Sequence, residues 1–286
     1  MLKDKTLNLK DRIYKTNKCC MIMGIINATN DSFYSKSRVS DKNQGIESAL
    51  KMIEQGADIL DLGAESSRPG ADYVDSQLEI ERLVPIVEGI RKYDKNIPIS
   101  IDTRKKIVME SCVNAGADIL NDISALEDDE DMADFVAETG IPAILMHKRG
   151  TSKNMMQNTH YDDAVKEVSD YLYSRADFCK SKGIAEDKII FDVGIGFGKD
   201  LKSNLQLLRN CDKISKGYGN GNCLTLMALS RKSMISALTG KTADDNLFGT
   251  ITANVFSIIA GADIVRVHDV DAAFDMINVL TGILDE

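Results

Sequence analysis

Eight short apolar runs, spread along the whole chain, constrain the fold more than any other feature of the sequence. Runs that are apolar throughout are typical of parallel strands, because both faces of such a strand are buried. The eight predicted strands are residues 21–28, 59–62, 99–102, 119–122, 143–147, 189–192, 225–228 and 264–267.

The segments between these runs carry apolar residues at helical spacing, as in residues 46–53, 165–172 and 273–280. Alternating strands and helices predict right-handed β–α–β units. Eight such units in a row favour a closed barrel over an open sheet, and 286 residues suffice for one barrel. We therefore predict an α/β fold in which a single-domain (β/α)8 TIM barrel spans residues 21–286. Residues 1–20 are expected to form an extension that covers the barrel floor.

A five-residue repeat marks three of the predicted helix-to-strand turns. Gly-Ala-Asp-Ile-Leu begins at Gly56 and again at Gly116, and Gly-Ala-Asp-Ile-Val begins at Gly261. Glycine can end a helix in the left-handed conformation, and the small alanine allows close packing before the strand begins. We interpret the repeat as a structural turn without a catalytic role.

Charge and composition argue against several functional classes. The net charge of −9 disfavours a nucleic-acid-binding surface, which is normally basic. No run approaches the roughly 20 apolar residues of a membrane-spanning helix, so we expect no membrane partner. The six cysteines form no CxxC pair or zinc pattern, and the charged N-terminus contains no signal segment. Together these features predict a reduced, cytoplasmic protein.

Polar side chains follow every predicted strand at its carboxyl end, where α/β barrels carry their active sites. Any single Asp, Asn or Ser there could be only a helix N-cap, but Arg, Lys and His do not cap helix N-termini. The whole set therefore predicts a functional rim. It comprises Asn27, residues 63–70, Asp102, Asn121, His147, Asp192, residues 230–232, Arg266 and His268.

The rim residues divide by chemistry. Asp102, Asn121 and Asp192 suit a flat heterocycle with amide and amino edges, because a carboxylate pairs with adjacent N–H donors. The cationic residues suit an anionic leaving group or carboxylate. They are Arg68, Lys232, Arg266 and His268.

The glycine-rich segment 194–199 matches neither nucleotide-binding fingerprint. Lys199 stands where a dinucleotide site has its last glycine, and Val193 and Asp200 break the phosphate-loop pattern. We predict a sharp turn whose backbone approaches a ligand. His147 is interpreted equally as a rim residue or a ligand, and His160 as a surface residue. Three histidines without zinc-site spacing do not predict a zinc site.

Eight segments, each at a predicted strand end, resemble the signatures of dihydropteroate synthase and occur in that family's order. They cover residues 23–33 (MGIINATNDSF), 56–71, 100–105, 119–126, 144–151, 191–199 (FDVGIGFGK), 229–233 and 264–270. The resemblance implies a transferase of folate biosynthesis. Such an enzyme condenses 6-hydroxymethyl-7,8-dihydropterin diphosphate with p-aminobenzoate and releases 7,8-dihydropteroate and pyrophosphate.

Two alternatives stay open beside this interpretation. One is a pterin-dependent methyltransferase on the same barrel, which would not need both the 67–69 and the 230–233 segments. The other is a non-catalytic pterin-binding paralogue, which only the unusual residues Asn30 and Ser35 of the first loop favour.

The resemblance also implies roles for individual residues. The pterin would contact Asp102, Asn121, Asp192, Lys232, Met146 and Phe197. Pyrophosphate would lie against Asn27, Arg266 and His268, with Asn27 also associated with Mg²⁺. The p-aminobenzoate would be framed by Phe33, Ser67, Arg68, Pro69 and Ser233. Catalysis is expected to depend on Asp102, Lys232, Arg68 and Asp31.

The first loop departs from the family pattern, since Asn30 replaces a proline and Ser35 an aspartate. We nevertheless expect retained activity, with loops 29–40 and 63–75 closing over the substrates. Sulfonamides, which resemble p-aminobenzoate, are expected to compete. A homodimer is also expected, with the apolar helix at residues 251–262 as a candidate contact surface.

Overall fold

Eight parallel strands close into a barrel in a computed structural model that describes residues 5–28, 37–66, 70, 73–151 and 153–285. The barrel strands are β3 (Met21–Asn27), β4 (Ile59–Gly63), β5 (Ile99–Asp102), β6 (Ile119–Asp122), β7 (Ala143–Met146), β8 (Ile189–Asp192), β9 (Leu224–Met227) and β10 (Ile264–Val267). They are preceded by an antiparallel hairpin of β1 (Lys5–Asn8) and β2 (Ile13–Thr16). Strand β10 pairs with β3 and closes the cylinder, so the predicted barrel is confirmed.

The helices of the described residues pack between and around these strands. They are α1 (Ser37–Glu54), α2 (Ser76–Tyr93), α3 (Lys106–Ala115), α4 (Met132–Thr139), α5 (Ala164–Ser181), α6 (Leu201–Arg209), α7 (Cys211–Lys216), α8 (Ser233–Thr239), α9 (Leu247–Ile259) and α10 (Val270–Leu284). Aspartates begin several of them, as at Asp75, Asp163 and Asp200, whose side chains accept bonds from the first-turn N–H groups.

The repeated Gly-Ala-Asp turns perform a structural task at the amino-terminal end of the barrel. Their glycines have φ values of 92°, 114° and 100°, the left-handed conformation predicted for a helix end. Each aspartate accepts a backbone N–H bond of 2.8–2.9 Å from a neighbouring strand. The bonded pairs are Asp58 with Ile22, Asp118 with Ile99, and Asp263 with Thr225. The repeat therefore ties strands together far from the rim.

Inside the barrel, strand periodicity separates an apolar lower layer from a polar upper one. Isoleucines begin the inward face of β4, β6, β8 and β10 and belong to one interior cluster. Side chains two residues further along a strand share the same face. That step leads from isoleucine to Asp61, Asn121, Asp192 and Arg266.

The lower end of the barrel is filled by the N-terminal hairpin. Leu7 and Leu9 are almost completely buried in the interior cluster with the lower-layer isoleucines. Lys188 donates to the Leu9 carbonyl at 2.6 Å, and Tyr14 donates to Asp58 at 2.8 Å. The upper, carboxyl-terminal end is thus the end that carries the polar rim.

Two further properties of the described residues bear on the sequence predictions. No helix among them is long and apolar enough to cross a membrane. The six cysteines are all buried and unpaired. Burial raises the pKa of the Cys112, Cys179 and Cys211 thiols to about 12, so these thiols stay protonated at neutral pH.

Candidate active site

An arginine held between two carboxylates occupies the centre of the upper layer. Arg266 on β10 donates through Nε to Asp61 Oδ2 at 2.6 Å and through Nη2 to Asp102 Oδ2 at 2.9 Å. Asn121 on β6 donates to both Asp61 oxygens at 3.2 and 3.3 Å. The Asp61 side chain is 0% exposed, whereas Asp102 keeps 16% of its side chain exposed. Asp102 is therefore the carboxylate of this pair that a ligand can reach.

Burial and charge set the protonation of this group. Burial raises the pKa of Asp102 to about 7, with Arg266 opposing that rise and Asp61 adding to it. Burial alone would lower the pKa of Arg266, but Asp61 and Asp102 raise it above its ordinary value. The arginine thus stays charged, and Asp102 changes charge near neutral pH.

A second cluster lies beyond the ends of β7, β8 and β9. The Lys232 ammonium lies 4.3 Å from the centre of the Phe197 ring, within cation–π distance. Asp192 at the end of β8 is buried and accepts the Gly194 N–H at 2.8 Å. Burial raises the pKa of Asp192, and the Gly194 bond and the charge of Lys232 oppose that rise. Met146, buried at the end of β7, pairs with Asp192 across the two strands.

The glycine-rich segment is a turn built around Lys199. This buried lysine donates to the carbonyl oxygens of His147, Gly194 and Phe197 at 2.9–3.1 Å. Burial lowers its pKa well below the ordinary value. The predicted sharp turn is confirmed, because Phe197 N–H bonds to the Gly194 carbonyl at 3.1 Å. Lys199 thereby fixes the loop that carries Phe197.

Replacing Gly194 with alanine is expected to destabilise the fold through this turn. Gly194 has φ +66°, and a Cβ there lies 1.9 Å from the His147 carbonyl oxygen. Gly140 has a similar φ of +68° but open space around it, so Gly140→Ala is the matched control. Left-handed strain costs either variant about 1–2 kcal/mol. Overpacking should cost Gly194→Ala about 1–3 kcal/mol more in urea unfolding. Equal losses in the two variants would disprove this account of the turn.

The predicted pyrophosphate residues lie on adjacent strand ends. Asn27 ends β3 and is exposed, and β3 pairs with β10, which carries Arg266 and leads to His268. The His268 Nδ1 atom lies 2.9 Å from Ser230 Oγ. Ser233 begins α8 beside Lys232 and is exposed. Arg266 itself is bonded to Asp61 and Asp102, on the strand next to the one that carries Asn27.

The two remaining histidines differ in burial. His147 is 5% exposed, and the Tyr161 and Tyr171 rings contact it edge-on with centroids 6.0 and 5.0 Å away. Burial lowers the pKa of His147 to about 2, so it is neutral at physiological pH. His160 is exposed, as predicted. Among the residues that the structure describes, no three His, Cys, Asp or Glu side chains are grouped to hold a metal ion.

Several predicted site residues lie outside the described residues, and their roles stay predictions. They are Asp31 and Phe33 of the first loop, and Ser67, Arg68 and Pro69 of the second. Asn30 and Ser35 lie there as well.

Sequence reasoning missed other residues that the structure brings to the rim. Asp61 was missed because it lies within an apolar run. It stands two residues after an isoleucine, and the same spacing occurs at Asn121 and Asp192. Lys105 and Glu79 carry no comparable local signal.

Comparisons with known proteins agree with this geometry. The family model for pterin binding enzymes matches residues 23–268. The dihydropteroate synthase of Haemophilus influenzae is 38% identical over 275 residues, which cover 94% of this chain and 97% of that protein.

Solved structures of the same enzyme superpose closely on this chain. The Yersinia pestis dihydropteroate synthase in complex with a sulfonamide drug aligns with a TM-score of 0.90 and 32% identity, over 98% of this chain and 100% of that one. The Xanthomonas albilineans enzyme with 4-aminobenzoic acid aligns with a TM-score of 0.87 and 34% identity, over 98% of both chains. By its fold, its rim and these relatives, the chain belongs to the pterin-binding enzyme family, among the dihydropteroate synthases.

Proposed function

We propose that this chain joins 6-hydroxymethyl-7,8-dihydropterin diphosphate to p-aminobenzoate and releases pyrophosphate and 7,8-dihydropteroate. The observation that carries the proposal is the Asp61–Arg266–Asp102 group facing the same barrel mouth as Asp192, Phe197 and Lys232. Relatives with 4-aminobenzoic acid and a sulfonamide support the choice of second substrate and of sulfonamides as competitors. The comparisons favour neither a methyltransferase nor a non-catalytic paralogue.

The upper layer suits a flat pterin ring. Asn121 and Asp192 present an amide and a carboxylate toward the barrel axis, which match the amino and amide edges of the ring. Phe197 and Met146 offer apolar contact, and Lys232 offers a cationic donor. These residues would hold the ring deep in the mouth, with its hydroxymethyl carbon near Asp102.

The reaction then needs orientation and charge stabilisation more than proton abstraction. The bond between the hydroxymethyl carbon and the diphosphate oxygen breaks, and its electron pair leaves with pyrophosphate. The p-aminobenzoate nitrogen forms the new C–N bond and afterwards loses a proton to solvent. Ionised Asp102 would stabilise positive charge developing on the pterin, while Arg266 and His268 attract the leaving anion. Arg68 and Asp31 stay proposed participants.

Mg²⁺ is proposed at the pyrophosphate corner, with Asn27 as its protein ligand. Asn27 is exposed at the end of β3, and its amide oxygen is the hard donor that Mg²⁺ prefers. A site completed by diphosphate oxygens and water needs no carboxylate cage. When bound, the ion would neutralise charge on the leaving group.

We also propose that the protein is cytoplasmic and that it forms a homodimer, the latter because of an exposed apolar surface along α9 and α10. Phe248 is 78% exposed, Ile259, Val279 and Ile283 are 64–65% exposed, and Phe256 is 46% exposed. Apolar patches of this kind often mark protein contacts. Sedimentation of Phe248→Glu against the parent protein distinguishes a dimer through this surface from a monomer.

Pyrophosphate release tests the proposed reaction. The purified protein is given the pterin diphosphate with and without p-aminobenzoate, and with Mg²⁺ or a chelator. We expect release that depends on p-aminobenzoate and that falls at least about a hundredfold in Lys232→Ala, since a preorganised cation is lost. Lys241→Ala, an exposed lysine beyond α8, should be unchanged. Pterin binding without release would establish the non-catalytic paralogue instead.

A further inference from the structure

The aspartates of the five-residue repeat also contact the N-terminal hairpin. Each stands directly before a barrel strand, at the lower ends of β4, β6 and β10. Each accepts a charged bond from the hairpin or from the two residues after it. The bonded pairs are Asp263 with Lys5 at 2.5 Å, Asp118 with Arg12 at 2.8 Å, and Asp58 with Lys18 at 3.0 Å. The turns therefore bind the hairpin as well as the neighbouring strands.

The residue before β8 takes part with the opposite charge. Lys188 stands there and donates to the carbonyl oxygens of Asn8 and Leu9 at 3.2 and 2.6 Å. Asp187, beside it, accepts the side-chain amide of Asn8 at 2.9 Å. Strands β4, β6, β8 and β10 alternate around the barrel, so the hairpin is bonded at every second strand. We call the four residues before these strands the docking site: Asp58, Asp118, Lys188 and Asp263.

The inner face of the hairpin combines apolar and polar contacts. Leu7 and Leu9 are buried in the interior cluster. Tyr14, which pairs with Leu7 across the hairpin, donates its hydroxyl to Asp58 at 2.8 Å. Its neighbour Lys15 is exposed, because successive residues of a strand face opposite sides. Burial of the leucines is a non-directional contribution, whereas the charged bonds specify where and in which orientation the hairpin binds.

The hairpin depends on the barrel, but the barrel sheet does not include the hairpin. Strands β1 and β2 form a two-stranded sheet of their own, separate from the eight-stranded one. The hairpin can therefore leave without breaking a strand pair of the barrel. Outside the barrel it would not persist, since an isolated two-stranded hairpin is marginally stable at best in water.

We propose that the hairpin is a strap, held by the docking site, that docks after the barrel has closed and undocks before the barrel opens. The inference is independent of the reaction proposed above. The docking residues come from positions 58 to 263, so the site is complete only when the last strand has joined the barrel. Lys5 and Asp263 are 258 residues apart, and contacts at such separations form late because a long loop must first be closed. Undocking breaks these bonds and exposes two leucines, whereas opening the barrel also breaks strand ladders.

Native-state hydrogen exchange tests the order of opening. We expect the amides of residues 5–16 to exchange at least about tenfold faster than those of β7, because undocking alone exposes them. Exchange of both segments at one rate would mean that the hairpin leaves only when the whole fold opens, which overturns the proposal. Pulse labelling during refolding from urea reports the reverse process, in which β7 should gain protection before the hairpin. Earlier or simultaneous protection of the hairpin also overturns the proposal.

Tyr14→Phe tests the docking site, because it removes one hydroxyl and leaves Asp58 paired with Lys18. We expect exchange of residues 5–16 to accelerate about tenfold, the effect of losing one hydrogen bond to a charged group. Exchange in β7 should not change. Tyr93→Phe, at an exposed tyrosine that ends α2, is the matched control and should match wild type in both segments.

Arg12→Met provides a second, independent test. Asp118 keeps its 2.5 Å pair with Arg91, so the turn stays compensated when the hairpin bond is lost. Because Arg12 is partly exposed, we expect a smaller acceleration in residues 5–16, about threefold. Lys15→Met, on the outer face of β2, is the control for removing a charge from the hairpin.

The response of β7 separates the strap from a general loss of stability. Equal acceleration in residues 5–16 and in β7 would mean that the two variants weaken the whole fold, and it would overturn separate undocking. Unchanged exchange of the hairpin in both variants would mean that the docking site does not hold it, and it would overturn the proposal as well.

Discussion

Replacing Asp102 with asparagine is expected to lower kcat for dihydropteroate formation by about two to three orders of magnitude. The substitution keeps the shape of the side chain but removes the negative charge that faces the reacting carbon in our proposal. Steady-state pyrophosphate release measures the loss. Asp134→Asn, which removes an exposed carboxylate on α4, is the control and should retain full activity. A drop of less than about threefold, within the range of a simple positional change, excludes electrostatic stabilisation by Asp102.

The wild-type protein and Asp102→Asn should also differ in how kcat/KM and stability depend on pH. Because the pKa of Asp102 is raised to about 7, kcat/KM of the wild-type protein should rise with pH through that value as the carboxylate ionises. Because the pKa of Asp102 is higher in the folded chain than in the unfolded chain, the protonated carboxyl group stabilises the fold. This stabilisation is fully present below about pH 3.9, the pKa of an aspartate in the unfolded chain, and is lost as pH rises through 7. Asp102→Asn should therefore gain stability relative to wild type between pH 5 and pH 8.5. Parallel stability curves over that range contradict the pKa assignment.

Replacing Arg266 with methionine is expected to reduce the free energy of unfolding by about 3–5 kcal/mol. The arginine is the cation bonded to both Asp61 and Asp102, and its removal leaves these carboxylates facing each other in a buried layer. Urea unfolding measures the loss, with the exposed Arg209→Met as control. The destabilisation should be larger above pH 7 than at pH 5, since protonation of Asp102 relieves the repulsion.

A double-mutant cycle isolates this effect from lost packing. Asp61→Asn in the Arg266→Met background should recover much of the stability, because the buried charge is removed together with its partner. Additive losses from the two substitutions would mean that the Asp61–Arg266 pair contributes little beyond packing.

The strands and the barrel were predictable because their signals are local. A parallel strand with both faces buried leaves an unbroken apolar run, and each of the eight predicted runs agrees with a strand to within one residue at either end. The Gly-Ala-Asp turns also have a local signal, because each needs glycine at the one position that adopts the left-handed conformation.

The site was predictable only where its residues end strands. Asp61 sits one residue before the end of its apolar run, and the prediction looked for polar groups after each run. The inward alternation of side chains would have identified it. Lys105 and its partners Glu65 and Glu79 are separated by 40 and 26 residues, so their meeting depends on the closed fold and on no local pattern.

Leu7 and Leu9 fill the lower end of the barrel, so the interior is closed at that end. In the proposed reaction, substrates and products therefore enter and leave through the carboxyl-terminal mouth. In the proposed reaction, a pterin bound at the depth of Asn121 and Asp192 must enter before p-aminobenzoate binds above it. The 7,8-dihydropteroate product would leave through the same mouth, because the lower end is closed. In the proposed reaction, the order in which substrates bind and products leave thus follows from a barrel whose lower end is closed by Leu7, Leu9 and the isoleucines of the lower layer.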